Sequence, residues 1–141
     1  MHNIRKIAKD YYWVGASDRR LELFENIMPI TKGVSYNSYL LVDEKTILLD
    51  TVDSSVSRQF LENVKYALNG RALDYMVVNH MEPDHAANIM SFAKTYPDAK
   101  IVSSAKAFAM MKNFFGTDFA DRQVVVGEGD TLALGTHTLT F

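Results

Sequence analysis

The chain has 141 residues, room for one domain with a real core. Hydrophobic residues make up 48% and charged residues 23%, an ordinary globular balance, and a net charge of -2 without any Lys/Arg cluster gives no footprint for nucleic acid. The absence of cysteine excludes disulfides and thiolate metal ligands, and no apolar run reaches membrane-spanning length.

Residues 1–6 lack the apolar stretch of a signal peptide, so the cytoplasm is the expected compartment and His2 falls in a terminus expected to be floppy. Residues 11–14 read as a first strand, with Gly15 turning the chain. The stretch from Asp18 to Pro29 has no periodic pattern, and Arg19 and Arg20 within it read as solvated charges. Residues 35–42 alternate as a strand, Asp43-Glu44-Lys45 makes a polar turn, and residues 46–49 return as an antiparallel partner. Ser54 or Ser55 is the predicted cap of a helix whose buried stripe is Val56, Phe60, Leu61, Val64 and Leu68, and Gly70 stops it.

Residues 73–78 are apolar, β-branched and aromatic, a short buried strand. The spacing of Ala86, Ile89, Met90 and Ala93 predicts a second helix from about 86 to 96, closed by Pro97. A strand over 100–103 follows, and Ser104 caps a third helix over 105–115 that ends at Gly116. Its Met110 and Met111 read as core filling. Residues 123–126, 131–134 and 138–141 read as closing strands, with His137 in the last turn as a surface residue. The middle of the chain alternates strand and helix and the last fourth is strand-rich, which makes the fold mixed α/β.

Between the strand at 73–78 and the second helix lies the stretch with the most chemistry, Asn79-His80-Met81-Glu82-Pro83-Asp84-His85. Ligands in α/β sheets collect at the carboxyl ends of strands, where this loop sits. In a tight loop His80, Glu82 and Asp84 converge on one side while Met81 and Pro83 point away. Asp84 is the predicted N-cap of the helix that His85 then starts. Two imidazoles and two carboxylates without thiolate suit Fe, Mn or Zn, and bridging carboxylates would let the site hold two ions. The bland reading is a polar loop whose Asp caps a helix and whose histidines face water. Four metal-ligating side chains within six positions at a strand's carboxyl end weigh against it.

The run His80-x-Glu82-x-Asp84-His85 resembles the H-x-E-x-D-H signature of the flavodiiron proteins, or A-type flavoproteins, members of the metallo-β-lactamase-like superfamily. Its hydrolases carry His where this chain has Glu82. Tyr12-Trp13-Val14-Gly15, Gly33-Val34-Ser35-Tyr36-Asn37-Ser38-Tyr39-Leu40 and Leu49-Asp50-Thr51-Val52 resemble the same family. The resemblance implies the first part of an αββα four-layer sandwich with a mixed sheet. It also implies an oxidoreductase that reduces dioxygen to water or nitric oxide to nitrous oxide at two non-haem Fe ions. FMN on a separate flavodoxin-like domain would deliver electrons across a head-to-tail homo-oligomer, from a donor such as rubredoxin or a flavin reductase.

Carried over by position, His80 and Glu82 would bind one iron, and Asp84, with His85 in some members, the other. A carboxylate at Glu82 is a hard anionic donor that favours iron in its higher oxidation state. Asp50 would orient the metal loop from beneath without ligating. The rival readings are a metallo-β-lactamase-type zinc hydrolase, with water as nucleophile, and a non-catalytic fragment. Phe141 falls within an apolar strand pattern, so residues 1–141 are expected to be the N-terminal portion of the diiron domain. On that expectation the chain alone binds metal weakly, does not turn over, and exposes residues 138–141 as an unpaired edge that invites self-association.

Overall fold

The computed structural model describes residues 2–24 and 26–141. In chain order its strands are β1 (Arg5–Ala8), β2 (Tyr11–Trp13), β3 (Ala16–Asp18), β4 (Leu23–Phe24), β5 (Met28–Pro29), β6 (Val34–Tyr36), β7 (Tyr39–Val42), β8 (Thr46–Leu49), β9 (Tyr75–Val77), β10 (Lys100–Ser103), β11 (Gln123–Val125), β12 (Thr131–Ala133) and β13 (Thr138–Thr140). The helices are α1 (Ser57–Leu68), α2 (Pro83–Ala86), α3 (Ile89–Thr95) and α4 (Ala105–Phe115). The main sheet runs β1-β2-β7-β8-β9-β10-β11. Its first half is antiparallel and β8 to β11 are parallel, so the expected mixed sheet is present.

The pleat separates the two faces. On one, Leu40, Leu48, Met76, Val78 and Ile101 pack with Phe60 and Val64 of α1, Ile89 and Phe92 of α3, and Phe108 and Met111 of α4. The Phe60 and Phe92 rings meet at 4.9 Å, so truncating either would cost about 3–5 kcal/mol. On the other face Leu41, Ile47, Val77 and Val102 pack with Leu134 beneath the β12–β13 ribbon. Among the described residues no helix is long and apolar enough to cross a membrane.

The structure corrects the expected elements at several places. The N-terminus is tied down: β1 pairs with β2, and the His2 ring stacks on Tyr66 at 3.4 Å. Beyond Gly15 the chain continues into β3, and β4 pairs with β5 within the stretch that lacked a pattern. The strand expected over 35–42 is two strands. Asn37 accepts from the Trp13 indole and Ser38 donates its hydroxyl to the Asp50 carbonyl, so the chain leaves β6, paired with β3, and enters β7, paired with β2.

Asp53, not Ser54 or Ser55, caps the entry to the first helix, accepting from the Ser55 N–H at 2.8 Å; a 3-10 turn (Ser54–Val56) precedes α1. Asn63, absent from the predicted stripe, is fully buried in α1. The expected edge at 138–141 holds β13, one strand of a two-stranded ribbon, paired on one side and an edge on the other. β13 pairs with β12, and Leu139 and Phe141 pack against the second core cluster.

Candidate metal centre

The loop 79–82 leaves β9 and enters α2, where sheet topology placed it. Met81 is buried at 7% exposure and anchors the loop while its neighbours Asn79, His80 and Glu82 face outward. Glu82, not Asp84, holds the N-cap position, with extended backbone at φ -74 and ψ 153. Pro83 at the first helical position has its φ preset and no N–H to satisfy, the Glu82 side chain makes no cap bond, and Asp84 falls inside the helix with its carboxylate free of a capping role.

Ligand-type atoms of His80, Glu82 and Asp84 lie within 4.8 Å of one another, as the spacing predicted. Among the described residues this is the one such trio. His80 Nε2 stands 3.0 Å from Glu82 Oε2. His85 lies outside that trio but near it, its Nε2 3.6 Å from Asp84 Oδ2 and its ring 5.7 Å edge-on from that of His80. His80 and Glu82 are about half or more exposed, at 49% and 62%, whereas Asp84 and His85 are 19% and 26% exposed. Asp84 Oδ1 and His85 Nδ1 are buried without a hydrogen-bond partner. Orphaned buried polar atoms are costly, and a cation would relieve both. Two carboxylates, two imidazoles and no sulfur therefore fit iron, manganese or zinc.

Residues 50–53 support this loop from below. Asp50, at a left-handed φ of 57°, accepts from the Asn79 N–H at 2.7 Å, the Asn79 side chain at 3.1 Å and the His80 N–H at 3.3 Å. These bonds hold the loop backbone and the Asn79 side chain rather than either imidazole. Two supports were not singled out from the sequence. Thr51 donates its hydroxyl to the His85 carbonyl at 2.6 Å, and Asn88 donates to the Val52 carbonyl at 2.6 Å. Asn88 also breaks the helix expected over 86–96 into α2 and α3, because its side chain and N–H bond to the 51–53 segment instead of to the helix. A polar residue at a core-facing helical position was the available signal.

A cavity of about 450 Å³ opens beside Asp84, lined by Asp53, Tyr36, Phe24, Leu23 and Leu21. Burial pushes the Tyr36 hydroxyl pKa up, and the nearby carboxylates of Asp53, Asp18 and Asp84 push it the same way. Larger clefts elsewhere, one of about 690 Å³ around Tyr66 and Tyr96, include none of these ligand-type residues.

This mixed sheet, with helices on one face and a metal-type loop at the carboxyl end of a parallel strand, has the metallo-β-lactamase-like fold. Residues 34–141 match the family described as ODP family beta lactamase. A nitric oxide reductase of Moorella thermoacetica is 36% identical over 137 residues, which cover 96% of this chain and 34% of that protein. The rubredoxin oxygen:oxidoreductase of the anaerobe Desulfovibrio gigas superposes with a TM-score of 0.91 at 31% identity, over 98% of this chain and 34% of that one. The flavodiiron protein of Giardia intestinalis superposes at 0.88 with 26% identity, over 98% and 33%. The chain belongs to the ODP beta-lactamase family and, within it, to the flavodiiron proteins. It spans about a third of the length of the relatives it matches.

Proposed function

We propose that residues 1–141 are the N-terminal portion of the metal domain of a flavodiiron oxidoreductase, and that His80, Glu82, Asp84 and His85 hold two irons. The observation that carries this reading is the converging run with Glu82 in it and two orphaned buried donor atoms, Asp84 Oδ1 and His85 Nδ1, at its inner end. His80 and Glu82 would serve one ion, and Asp84 with His85 the other. When bound, the irons would supply the electrons and the open coordination positions for reducing dioxygen to water or nitric oxide to nitrous oxide.

This chain's own residues do the rest. Asp50 fixes the loop backbone, and the exposed side of His80 and Glu82 leaves room for donors from another segment. Two side chains per ion fall short of the four or more donors that a stable site takes. The missing donors, an FMN-bearing domain and an electron donor such as rubredoxin or a flavin reductase belong to the whole protein, which we place in the cytoplasm as a homo-oligomer. The related nitric oxide reductase and rubredoxin oxygen:oxidoreductase support this assignment of substrates.

The test is metal analysis of the protein prepared anaerobically from its native source, followed by gas consumption with a reduced flavoprotein donor. Two irons per chain and consumption of dioxygen or nitric oxide are expected. Stoichiometric zinc with hydrolytic turnover would replace this reading with the hydrolase.

A further inference from the structure

Asp50 and Thr51 are consecutive residues, and they grip opposite ends of the ligand run. Asp50 receives the N–H groups of Asn79 and His80, at the start of the loop. Thr51 gives both its N–H, at 3.0 Å, and its hydroxyl, at 2.6 Å, to the carbonyl of His85, at the end. The same hydroxyl oxygen accepts from the Asn88 N–H at 3.4 Å. Thr51 is fully buried and Asn88 is 1% exposed, so these bonds form away from water. Neighbouring Cα atoms are fixed about 3.8 Å apart, which gives the two grips a fixed separation.

We propose that Asp50-Thr51 is a spacer that sets the distance between the ligand pair His80/Glu82 and the pair Asp84/His85, with Thr51 the positioning residue for the second pair. The proposal rests on reading residues 80–85 as metal ligands, and it adds which residue places which pair. A hydroxyl is needed because it must donate to His85 and accept from Asn88 at once. The β-branch of threonine holds that hydroxyl in one rotamer, where serine would rotate more freely. The carbonyl of His85 belongs to the short helix α2 itself. Glu82 accepts from the N–H groups of His85 and Ala86, so a shift at residue 85 carries the Asp84 and His85 side chains with it.

The experiment compares Thr51→Val, which keeps the N–H bond and the shape, with Thr51→Ser, which keeps the hydroxyl. In the metal-free chain, amide hydrogen exchange of residues 85–88 is expected to speed up roughly tenfold in Thr51→Val, while that of Asn79 and His80 stays unchanged. Cobalt(II) titrated into the chain under argon serves as the metal probe. Thr51→Val should weaken the ion held by Asp84 and His85 roughly 10–100-fold and leave the other alone. Thr51→Ser, which keeps the hydroxyl but holds it less firmly, should restore most of both readings.

Faster exchange throughout the chain, equal weakening of both ions, unfolding of Thr51→Val by circular dichroism, or no rescue by serine would each overturn the proposal, since each makes Thr51 a general fold residue. If the wild-type chain takes up no cobalt, as two side chains per ion allow, the exchange comparison alone decides the spacer, and metal analysis of the native protein decides the metal reading.

Discussion

Asp43 and His137 stand 94 positions apart in sequence, and one carboxylate oxygen of Asp43 receives both the His137 N–H and its ring Nδ1 at 2.7 Å. Thr136 adds its hydroxyl at 3.0 Å, and Lys45 donates its N–H to the Leu134 carbonyl. Gly135 makes this approach possible, because a Cβ there would stand 2.7 Å from Asp43. The β7–β8 turn thus latches the β12–β13 ribbon over the second core cluster.

This latch gives the first prediction. Burial pushes the Asp43 carboxyl pKa up, but hydrogen bonds from the His137 side chain and the Glu44, His137 and Thr136 backbones outweigh it and hold it well below the usual carboxylate range. A depressed native pKa means stabilisation that is whole above the unfolded value of about 3.9 and lost as pH falls through the lower folded value. The His137 amide should therefore stay protected from exchange at pH 4–5 and open only in stronger acid. In Asp43→Asn the ribbon should be loose across that range. Equal protection in both proteins at pH 5 would show that the carboxylate does not hold the ribbon.

The second prediction concerns Asp50. Asp50→Asn retains an oxygen for the Asn79 and His80 N–H groups and tolerates the left-handed φ of 57°, but its amide donor now faces the Asn79 side-chain donor. Metal affinity should fall by roughly 10–100-fold with little change in melting temperature. Asp50→Ala, with no acceptor and backbone strain as well, should lose more of both. Unchanged cobalt or ferrous affinity in the asparagine variant would reduce Asp50 to a turn residue.

Glu82→His tests the choice of metal. The Glu82 side chain is 62% exposed and makes no cap bond, and its structural work is done by its carbonyl, which any residue supplies. The exchange should therefore shift preference from iron toward zinc and leave the circular dichroism spectrum intact. Unfolding of this variant would mean that the carboxylate serves the fold.

The parallel half of the sheet and the convergence of His80, Glu82 and Asp84 were legible because both are local. Residues 73–78 have a strand's apolar run, and the ligand types crowd into one loop. Non-local pairings were harder to see. Ser38 splits a strand by bonding to Asp50, and Asn88 splits a helix by bonding to the 51–53 segment, so tertiary hydrogen bonds overrode a correct local pattern in each case. The capping role expected of Asp84 failed for a local reason, since Pro83 takes the first helical position and moves the cap to Glu82. His137 is exposed, as its place in a turn suggested, but nothing near it in sequence names Asp43 as its partner.

Asn63 carries the last prediction. It is fully buried in α1 and uses its whole hydrogen-bonding capacity. Its amide donates to the Val14 and Gly15 carbonyls at 3.0 and 2.7 Å, and its oxygen accepts from the Asn3 N–H at 2.7 Å and Gln59 Nε2 at 3.0 Å. Asn63→Leu keeps the volume and removes every one of these bonds. The two carbonyls cannot swing out to water, because Gly15 is wedged against Tyr36, where even a Cβ would stand 2.0 Å from the Tyr36 carbonyl. Each buried orphan costs about 1–3 kcal/mol, so the substitution should lower stability by about 3 kcal/mol, read as a shift of the urea midpoint. The loss should be global and spare the metal loop, since none of these bonds reaches residues 79–85. Cobalt affinity of the folded fraction should match wild type. A stability loss under 1 kcal/mol would mean that the carbonyls find other partners, and a selective loss of metal binding would mean that α1 couples to the loop by a route other than these bonds.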